Sequence, residues 1–477
     1  MIDELKPYAA YKDSALSWLG TIPSHWAEKR AKYLFHEVDE RSKTGAEELL
    51  SVSHITGVTP RSQKKVTMFM AESTVGYKTC RQGDLVINTM WAWMGALGIS
   101  PLAGLVSPAY GVYRPSQTTP LSSEFTGHLL RSPQYVSEYV CRSTGIQSSR
   151  LRLYPEQLLR IPVICPPPGE QRLILRFIAY AERRIRRYVG IKKKLIALLN
   201  EQKQAIIHRA VTRGLDPNVR LKPSGVEWLG VIPEHWKLLR LKDLSPRISG
   251  RLVYQPAQYF SEDGIPFIMG NNVTPDGIRW SGVKRIPREI NDRFAHHALC
   301  EGDVITVRVG APGVTCVVPR DANGLNCGSL MIIRRGARFN SKWLAYTMNS
   351  TVIRTQIALV QYGAAQEQIN IEDATNFLLP VPPLEEQERI ERMLLLSTEP
   401  FARAAERTAR SIALIREYRS RLIADVVTGK LDVREAAARL PDETDDPEPL
   451  SDADAMADGD EATDDVDLAT VSEDAET

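Results

Sequence analysis

No stretch of this 477-residue chain approaches the 18 uninterrupted apolar positions of a membrane-spanning helix. The segment from Met1 to Lys12 carries acids and no apolar core, so no secretory signal is expected there. Cysteine is scarce. Cys80, Cys141, Cys165, Cys300, Cys316 and Cys327 are scattered without a Cys-x-x-Cys pair, which argues against a disulfide frame or zinc site and for reduced thiols in a cytoplasm. Catalytic signatures are missing as well. There is no Gly-rich loop ending in Gly-Lys-Ser/Thr, no Gly-x-Gly-x-x-Gly after a strand and no His-Glu-x-x-His. An Asn/Asp-Pro-Pro-Tyr/Phe block, which amino-group methyltransferases set against their target, is also absent, and no acid pair with a following lysine falls at nuclease spacing. Together these absences favour a binding module over an enzyme.

Positive charge is missing from one end. Pro441 to Thr477 holds 16 Asp/Glu and no Lys or Arg. Without that segment 42 acids face 60 bases, so the formal net charge of +2 conceals a body near +18, which can attract a polyanion. The acidic segment has no aromatics and few bulky apolar residues, a composition that predicts disorder.

What the chain does have is a duplication. Ser17-Trp18-Leu19-Gly20-Thr21-Ile22-Pro23-Ser24-His25-Trp26 returns as Glu227-Trp228-Leu229-Gly230-Val231-Ile232-Pro233-Glu234-His235-Trp236. Gly83-Asp84-Leu85-Val86-Ile87 returns as Gly302-Asp303-Val304-Ile305, and Pro166-Pro167 with Glu170-Gln171 and Ile174 returns as Pro382-Pro383 with Glu386-Gln387 and Ile390. Leu195 to Asp216 matches Ser411 to Asp432. The order and a near-constant offset mark a tandem repeat, too long in period for a solenoid. Between these anchors the copies diverge, as two readers of two targets would.

Each copy reads as an α+β globular part followed by a helix. Asp84–Thr89, Val106–Tyr113, Ile265–Met269, Val304–Val309 and Ser329–Ile333 are predicted strands. Ser123–Arg142 and Ser341–Leu359 are predicted helices with Ser N-caps, the first split by Pro133 and restarted by Ser132. The Gly-Asp pairs read as turns. His25 and His235 have no carboxylate or thiol partner at ligand spacing, so their blocks read as packing. In the first helix Ile174, Ile178, Ala181, Ile185, Tyr188, Leu195, Leu199 and Ile206 approach a heptad seam, with Ile191 standing in where Lys192 breaks the register. Ile390, Leu394, Phe401, Ile412, Ile415, Leu422 and Val426 form the second stripe, backed by Glu388/Arg392, Glu399/Arg403, Glu406/Arg410 and Glu417/Arg421 pairs. Pro400 is expected to kink that helix or begin a new one. Two long helices in one chain most simply pair with each other.

With this order of motifs, residues 11–433 resemble the specificity subunit of Type I restriction-modification systems, the HsdS family. The carrying residues are Trp228-Leu229-Gly230 through Pro233-Glu234-His235-Trp236, Gly302-Asp303-Val304-Ile305 with Arg308, Gly310 and Gly313, Pro382-Pro383 with Glu386-Gln387 and Ile390, and Val427-Thr428-Gly429-Lys430-Leu431-Asp432. The resemblance implies two tandem target recognition domains, each followed by a long helix, the helices pairing as an antiparallel coiled coil. On this reading residues 1–165 are the first recognition domain, 166–216 the first helical spacer, 217–381 the second recognition domain, 382–433 the second spacer and 434–477 the disordered acidic tail. The implied function is recognition of a bipartite, asymmetric target in double-stranded DNA, without catalysis. Two methyltransferase subunits and two restriction subunits are the implied partners, and S-adenosylmethionine, ATP and Mg²⁺ belong to them. Alternatives are a fused methyltransferase-specificity enzyme and a coiled-coil scaffold with no DNA role. The first copy departs from the pattern: Asn88 to Gly95 replaces Arg-x-Gly-x-x-Gly, and Arg213-Gly214 stands for Gly429-Lys430.

Helices of roughly 44–65 Å would span about 13–19 base pairs. Base readers are sought among loop Arg, Asn, Gln and Trp side chains: Asn271, Asn272, Arg308, Gln366 and Gln368 in the second domain, and Trp91, Trp93, Gln147 and Arg150 in the first.

Overall fold

The strands that follow each Gly-Asp turn, Leu85–Ile87 and Val304–Val307, are buried at every position, so both are covered on two faces. In the computed structural model, which describes residues 5–14, 16–63, 73–145, 151–250, 256–361 and 368–441, the chain forms two compact units. One comprises Met1–Lys193 and Arg410–Thr477, the other Lys194–Ala409. In the first, Phe35–Glu37, Gly111–Pro115, Leu85–Ile87 and Leu97–Ile99 form an antiparallel sheet in that order. In the second, Ile248–Ser249, Leu330–Ile333, Val304–Val307 and Thr315–Val317 repeat that order. Asp84 and Asp303 are the turn residues the sequence predicts. Each accepts a backbone N–H, from Arg81 (2.8 Å) and Cys300 (2.9 Å), and each also meets a buried-side guanidinium, from Arg114 (3.1 Å) and Arg334 (2.5 Å).

Several predicted elements are redrawn. The expected strand Val106–Tyr113 is two strands, Gly104–Val106 and Gly111–Pro115, separated by a turn closed by Tyr110 N–H on the Ser107 carbonyl. Pro133 splits the first helix as expected, into α1 (Ser123–Leu130) and α2 (Pro133–Arg142). The caps move by one residue. Ser122 rather than Ser123 accepts from Phe125 N–H, and Asn340 rather than Ser341 accepts from Trp343 N–H. Ser341–Leu359 is likewise two helices, Ser341–Met348 and Thr351–Gln361, because Asn349 turns its amide onto the Thr315 backbone.

Two long helices are present, Pro168–Arg213 and Leu384–Val427. Pro400 neither ends the second nor starts a new one. The carbonyl that a proline ring crowds is four residues back, at Leu396, and that residue is 71% exposed, so water can satisfy it. The seam of the first helix is also shifted. Ile174, Ile178 and Ala181 are buried as predicted, but Tyr188, Ile191 and Leu195 are exposed while Val189 is buried. The stripe of the second helix stands: Ile390, Leu394, Ile412, Leu422 and Val426 are buried. Of the four i,i+4 pairs, Glu399–Arg403 and Glu417–Arg421 form ion pairs, while Arg392 donates to the Glu388 carbonyl instead.

Each unit contains part of both helices. In the first unit Ile174, Phe177, Ile178 and Ala181 share a core with Leu422, Val426 and Val427, and Glu182 pairs with Arg419. Trp26, bonded to Glu170, faces Gly429 at the far end of the second helix, so the two segments run in opposite directions there. In the second unit Ile207, Ala210 and Val211 share a core with Ile390 and Leu394.

The duplicated motifs meet in space. His25 lies 2.7 Å from Glu170 and Trp26 donates to the same carboxylate at 3.0 Å. His235 and Trp236 do the same with Glu386, at 2.8 and 3.1 Å. The expectation that these histidines lack carboxylate partners is therefore corrected: the partner comes from about 150 residues away, beyond any local spacing. Tyr8 adds its hydroxyl to Glu170 (2.6 Å), and burial together with that carboxylate pushes the Tyr8 phenol far above its usual range. The neighbouring glutamines finish the joint. Gln171 accepts from Ser122 N–H and donates to the Pro120 and Pro166 carbonyls. Gln387 accepts from Asn340 N–H and donates to the Pro382 carbonyl. Thus each Glu-Gln pair fastens the globular part of its copy to the start of a helix. The apparent departure at Arg213-Gly214 disappears here. Gly214 lies against Trp236 as Gly429 lies against Trp26, both at positive φ beyond a helix end, where a Cβ would crowd the indole.

Candidate nucleic-acid interface

The central strand of each sheet runs out into the loop that carries candidate readers. In the second unit the strand Val304–Val307 leads into residues 308–313. The turn closes through Gly313 N–H on the Val307 carbonyl; Gly313 has positive φ, and a side chain there would strike Ile357, so both the backbone and the space call for glycine. Arg308 is half-buried, its Nε donating to the Ile369 carbonyl (3.1 Å) and its backbone N–H to Ser329. Ser329, at φ 58°, is the sole non-glycine residue with positive φ among the described residues. Backbone strain of this kind tends to collect at functional sites. Gln368 bridges to Val309, and Gly270, the residue before Asn271, packs on Val307 and the Val309 carbonyl. Asn271, Arg308 and Gln368, far apart in sequence, therefore flank one loop, and both Asn271 and Gln368 are exposed.

Asn272 does something else. It is 2% exposed; its Oδ1 accepts from Met269 N–H (3.0 Å) and its Nδ2 donates to the Arg279 carbonyl (3.3 Å). Those bonds pin the hairpin Val273–Thr274/Gly277–Ile278 and leave no amide edge to offer a base. The hairpin instead presents two residues that the sequence reading missed, Arg279 and Trp280, the latter 43% exposed. The available signal was the Asp276-Gly277 turn, a hairpin signature followed at once by a cation and an aromatic. Lys203 of the first long helix holds that turn through Asp276 at 3.1 Å.

The first unit has the same layout with other residues. Leu85–Ile87 leads to Asn88, buried and donating to the Tyr110 hydroxyl (3.1 Å), then to a short 3-10 turn, Ala92–Met94. Trp91 and Trp93 are half-buried on that turn, and Trp93 Nε1 donates to the Met90 carbonyl (2.8 Å). Beside them Leu153 N–H donates to Thr89, and Thr144 bridges to Arg152. Gln147 and Arg150 lie outside the described residues, as does Gln366. Among the described residues no group of three or more His, Cys, Asp or Glu could hold a metal ion, and no helix is long and apolar enough to cross a membrane. The six cysteines are free, and burial pushes the thiols of Cys316 and Cys327 up to about 12, which suits packing and not nucleophilic chemistry.

No family model matches the chain. Among curated proteins it is 23% identical over 259 residues to the Type I restriction enzyme MjaVIII specificity subunit of Methanocaldococcus jannaschii, an alignment covering 53% of this chain and 58% of that one. It is 23% identical over 275 residues to the Type I restriction enzyme EcoBI specificity subunit of Escherichia coli, covering 54% and 56%. The chain thus matches little more than half the length of these relatives. Among solved structures, a chain from a type I R-M system, described for its complex assembly and conformational transition, superposes with a TM-score of 0.55 at 17% identity, over 86% of this chain and 99% of the other. The repeated frame, the sheet order common to both units and these likenesses agree: the chain is similar in sequence to Type I restriction specificity subunits and shares the fold of a chain from a type I R-M system.

Proposed function

We propose that this chain is the DNA sequence-recognition subunit of a Type I restriction-modification complex, itself without catalytic activity. The observation that carries the reading is the pairing of one frame with two divergent loops. The central strands of both sheets deliver a loop to the same place, yet one carries Trp91 and Trp93 and the other Arg308, with Asn271 and Gln368 beside it. Two such loops suit a bipartite asymmetric target. Arg, Asn and Gln make bidentate contacts to base edges, whereas the basic body supplies phosphate contacts that position without specifying. The long helices, roughly 69 and 66 Å for 46 and 44 residues, would pair along their length as an antiparallel coiled coil and space the two readers. Two methyltransferase subunits and two restriction subunits would assemble on this frame in the cytoplasm, bringing S-adenosylmethionine, ATP and Mg²⁺.

Domain exchange tests this. Residues 27–160 would be replaced by the first recognition domain of another family member, and the methylated sites mapped after assembly with the methyltransferase. One half of the target should change and the other persist. A simultaneous change in both halves would contradict the two-reader reading.

A further inference from the structure

The first unit contains a cleft of about 1030 Å³. Its walls are the turn at Gly57, the Met94–Gly95 end of the tryptophan turn, the α1–α2 junction and Arg419 to Ala424 of the second long helix. The repeat supplies an internal comparison. Arg131-Ser132-Pro133 at the α1–α2 junction corresponds to Asn349-Ser350-Thr351, and Ala424 corresponds to His208.

In the second unit this junction satisfies itself. Asn349 exchanges two hydrogen bonds with the Thr315 backbone, at 3.0 and 2.7 Å. Ser350 Oγ accepts from Val352 N–H (3.3 Å) and donates to the Thr347 carbonyl (2.7 Å). His208 fills the remaining space and meets the Thr351 hydroxyl.

In the first unit the corresponding positions are filled differently. Arg131 reaches over Gly57, where any side chain would touch its guanidinium, and donates to the His54 and Ile55 carbonyls at 2.7 and 2.6 Å. No carboxylate pairs with it among the described residues. Burial and the nearby Arg419 both work against its charge, which is the situation an incoming anion relieves. Ser132 is 4% exposed, forms no cap bond, and its Oγ has no partner. With Pro133 at the first helical position, α2 presents an uncapped N-terminus to the cleft. Ala424 leaves vacant the volume that the His208 imidazole occupies in the other copy. The acids at this site are Glu124 on the wall and Glu182, which Arg419 already engages.

We propose that this cleft binds the sugar-phosphate backbone of duplex DNA, with Arg131, Ser132 and the α2 N-terminus taking one phosphodiester and Arg419 flanking it. The inference rests on the DNA-recognition reading above. The cleft is far larger than a single ion needs, so the anion arrives as part of a polymer. Duplex DNA is favoured over an acidic protein segment because Met94 and Gly95 belong to the turn that carries Trp91 and Trp93. A phosphate held here would fix the register of that turn on the duplex.

The test uses the full chain assembled with its methyltransferase subunits, and measures affinity for target and non-target duplexes across a salt series. Two variants are compared: Arg131→Gln removes the cation, and Ala424→His fills the cleft as the second copy does. In both, the slope of log affinity against log salt should flatten by about 0.9 per phosphate lost. Affinity should fall about tenfold for target and non-target alike, with the methylated sequence unchanged. Ala424→His leaves Arg131 in place, so a folding defect in one variant does not decide the result. Unchanged slopes in both variants overturn the proposal. So does weakened assembly with the methyltransferase at an unchanged slope, which would make the occupant an acidic segment of that partner. A parent complex that binds no DNA would instead refute the underlying function.

Discussion

At the scale of single residues, Asn271 and Asn272 are adjacent, identical in chemistry and opposite in circumstance. Asn271 is exposed on the rim of the 308–313 loop, whereas Asn272 spends both ends of its amide on the backbone. Asn272→Ala should strand the Met269 N–H and the Arg279 carbonyl, lowering stability by about 1–3 kcal/mol. Chemical denaturation reads this, and a wild-type midpoint would show the hairpin does not depend on the side chain. Asn271→Ala should leave the midpoint alone and relax one position of the target, seen by mapping methylated sites. Uniform weakening at every sequence would make Asn271 a phosphate contact. Nothing in the sequence separates these two residues, because burial is decided by a hairpin whose partner strand lies several residues on. The histidines show the same limit at longer range. His25 and Glu170 each sit in a block that recurs in the second copy, so their association was latent in the repeat, but spacing alone could not reveal it.

At the scale of elements, the repeat made the frame legible. Strand centres, the Pro133 split and the stripe of the second helix follow from apolar runs and proline chemistry. What slipped was phase. A heptad seam read through Tyr188 and Leu195 is off because Val189 is the residue that turns inward, and periodicity on one helix does not locate the neighbour it faces. Pro400 does not begin a new helix, and its cost depends on whether the carbonyl it crowds, at Leu396, meets water. Pro400→Ala should therefore raise stability, by up to about 3 kcal/mol, as an interior proline is removed without loss of a contact. An unchanged or lowered denaturation midpoint would mean that the helix is interrupted at this point in solution. If the paired helices set the distance between readers, four residues inserted after Leu199 add about one turn, roughly 6 Å. The nonspecific spacer of the target should then grow by a base pair or two, or activity should fail. An unchanged spacer with full activity would show that these helices do not measure distance.

At the scale of the whole molecule, charge is the least evenly shared property. Residues up to Leu440 carry about +18, and the 16 acids that offset most of it lie beyond, in a segment outside the described residues. The frame ends at a defined place: the Leu440 carbonyl accepts from Arg176 of the first long helix at 2.9 Å. The acidic segment is thus tethered to a helix that carries nine Lys/Arg against two Glu between Glu170 and Lys194. Tethering raises the effective concentration of those carboxylates at the basic surface, where they compete with phosphates for the same cations. On the function proposed above, such competition would keep nonspecific DNA from occupying the chain before its partners assemble. Removal of residues 442–477, which spares the Arg176 contact, should tighten binding to nonspecific duplex at low salt. Because the competition is between exposed charges, added salt should screen it and the two proteins should converge. Replacing the acids by their amides in the full-length chain should reproduce the truncation, which separates charge from chain length. Equal nonspecific affinity at low salt with and without the acidic segment would leave it no part in gating DNA.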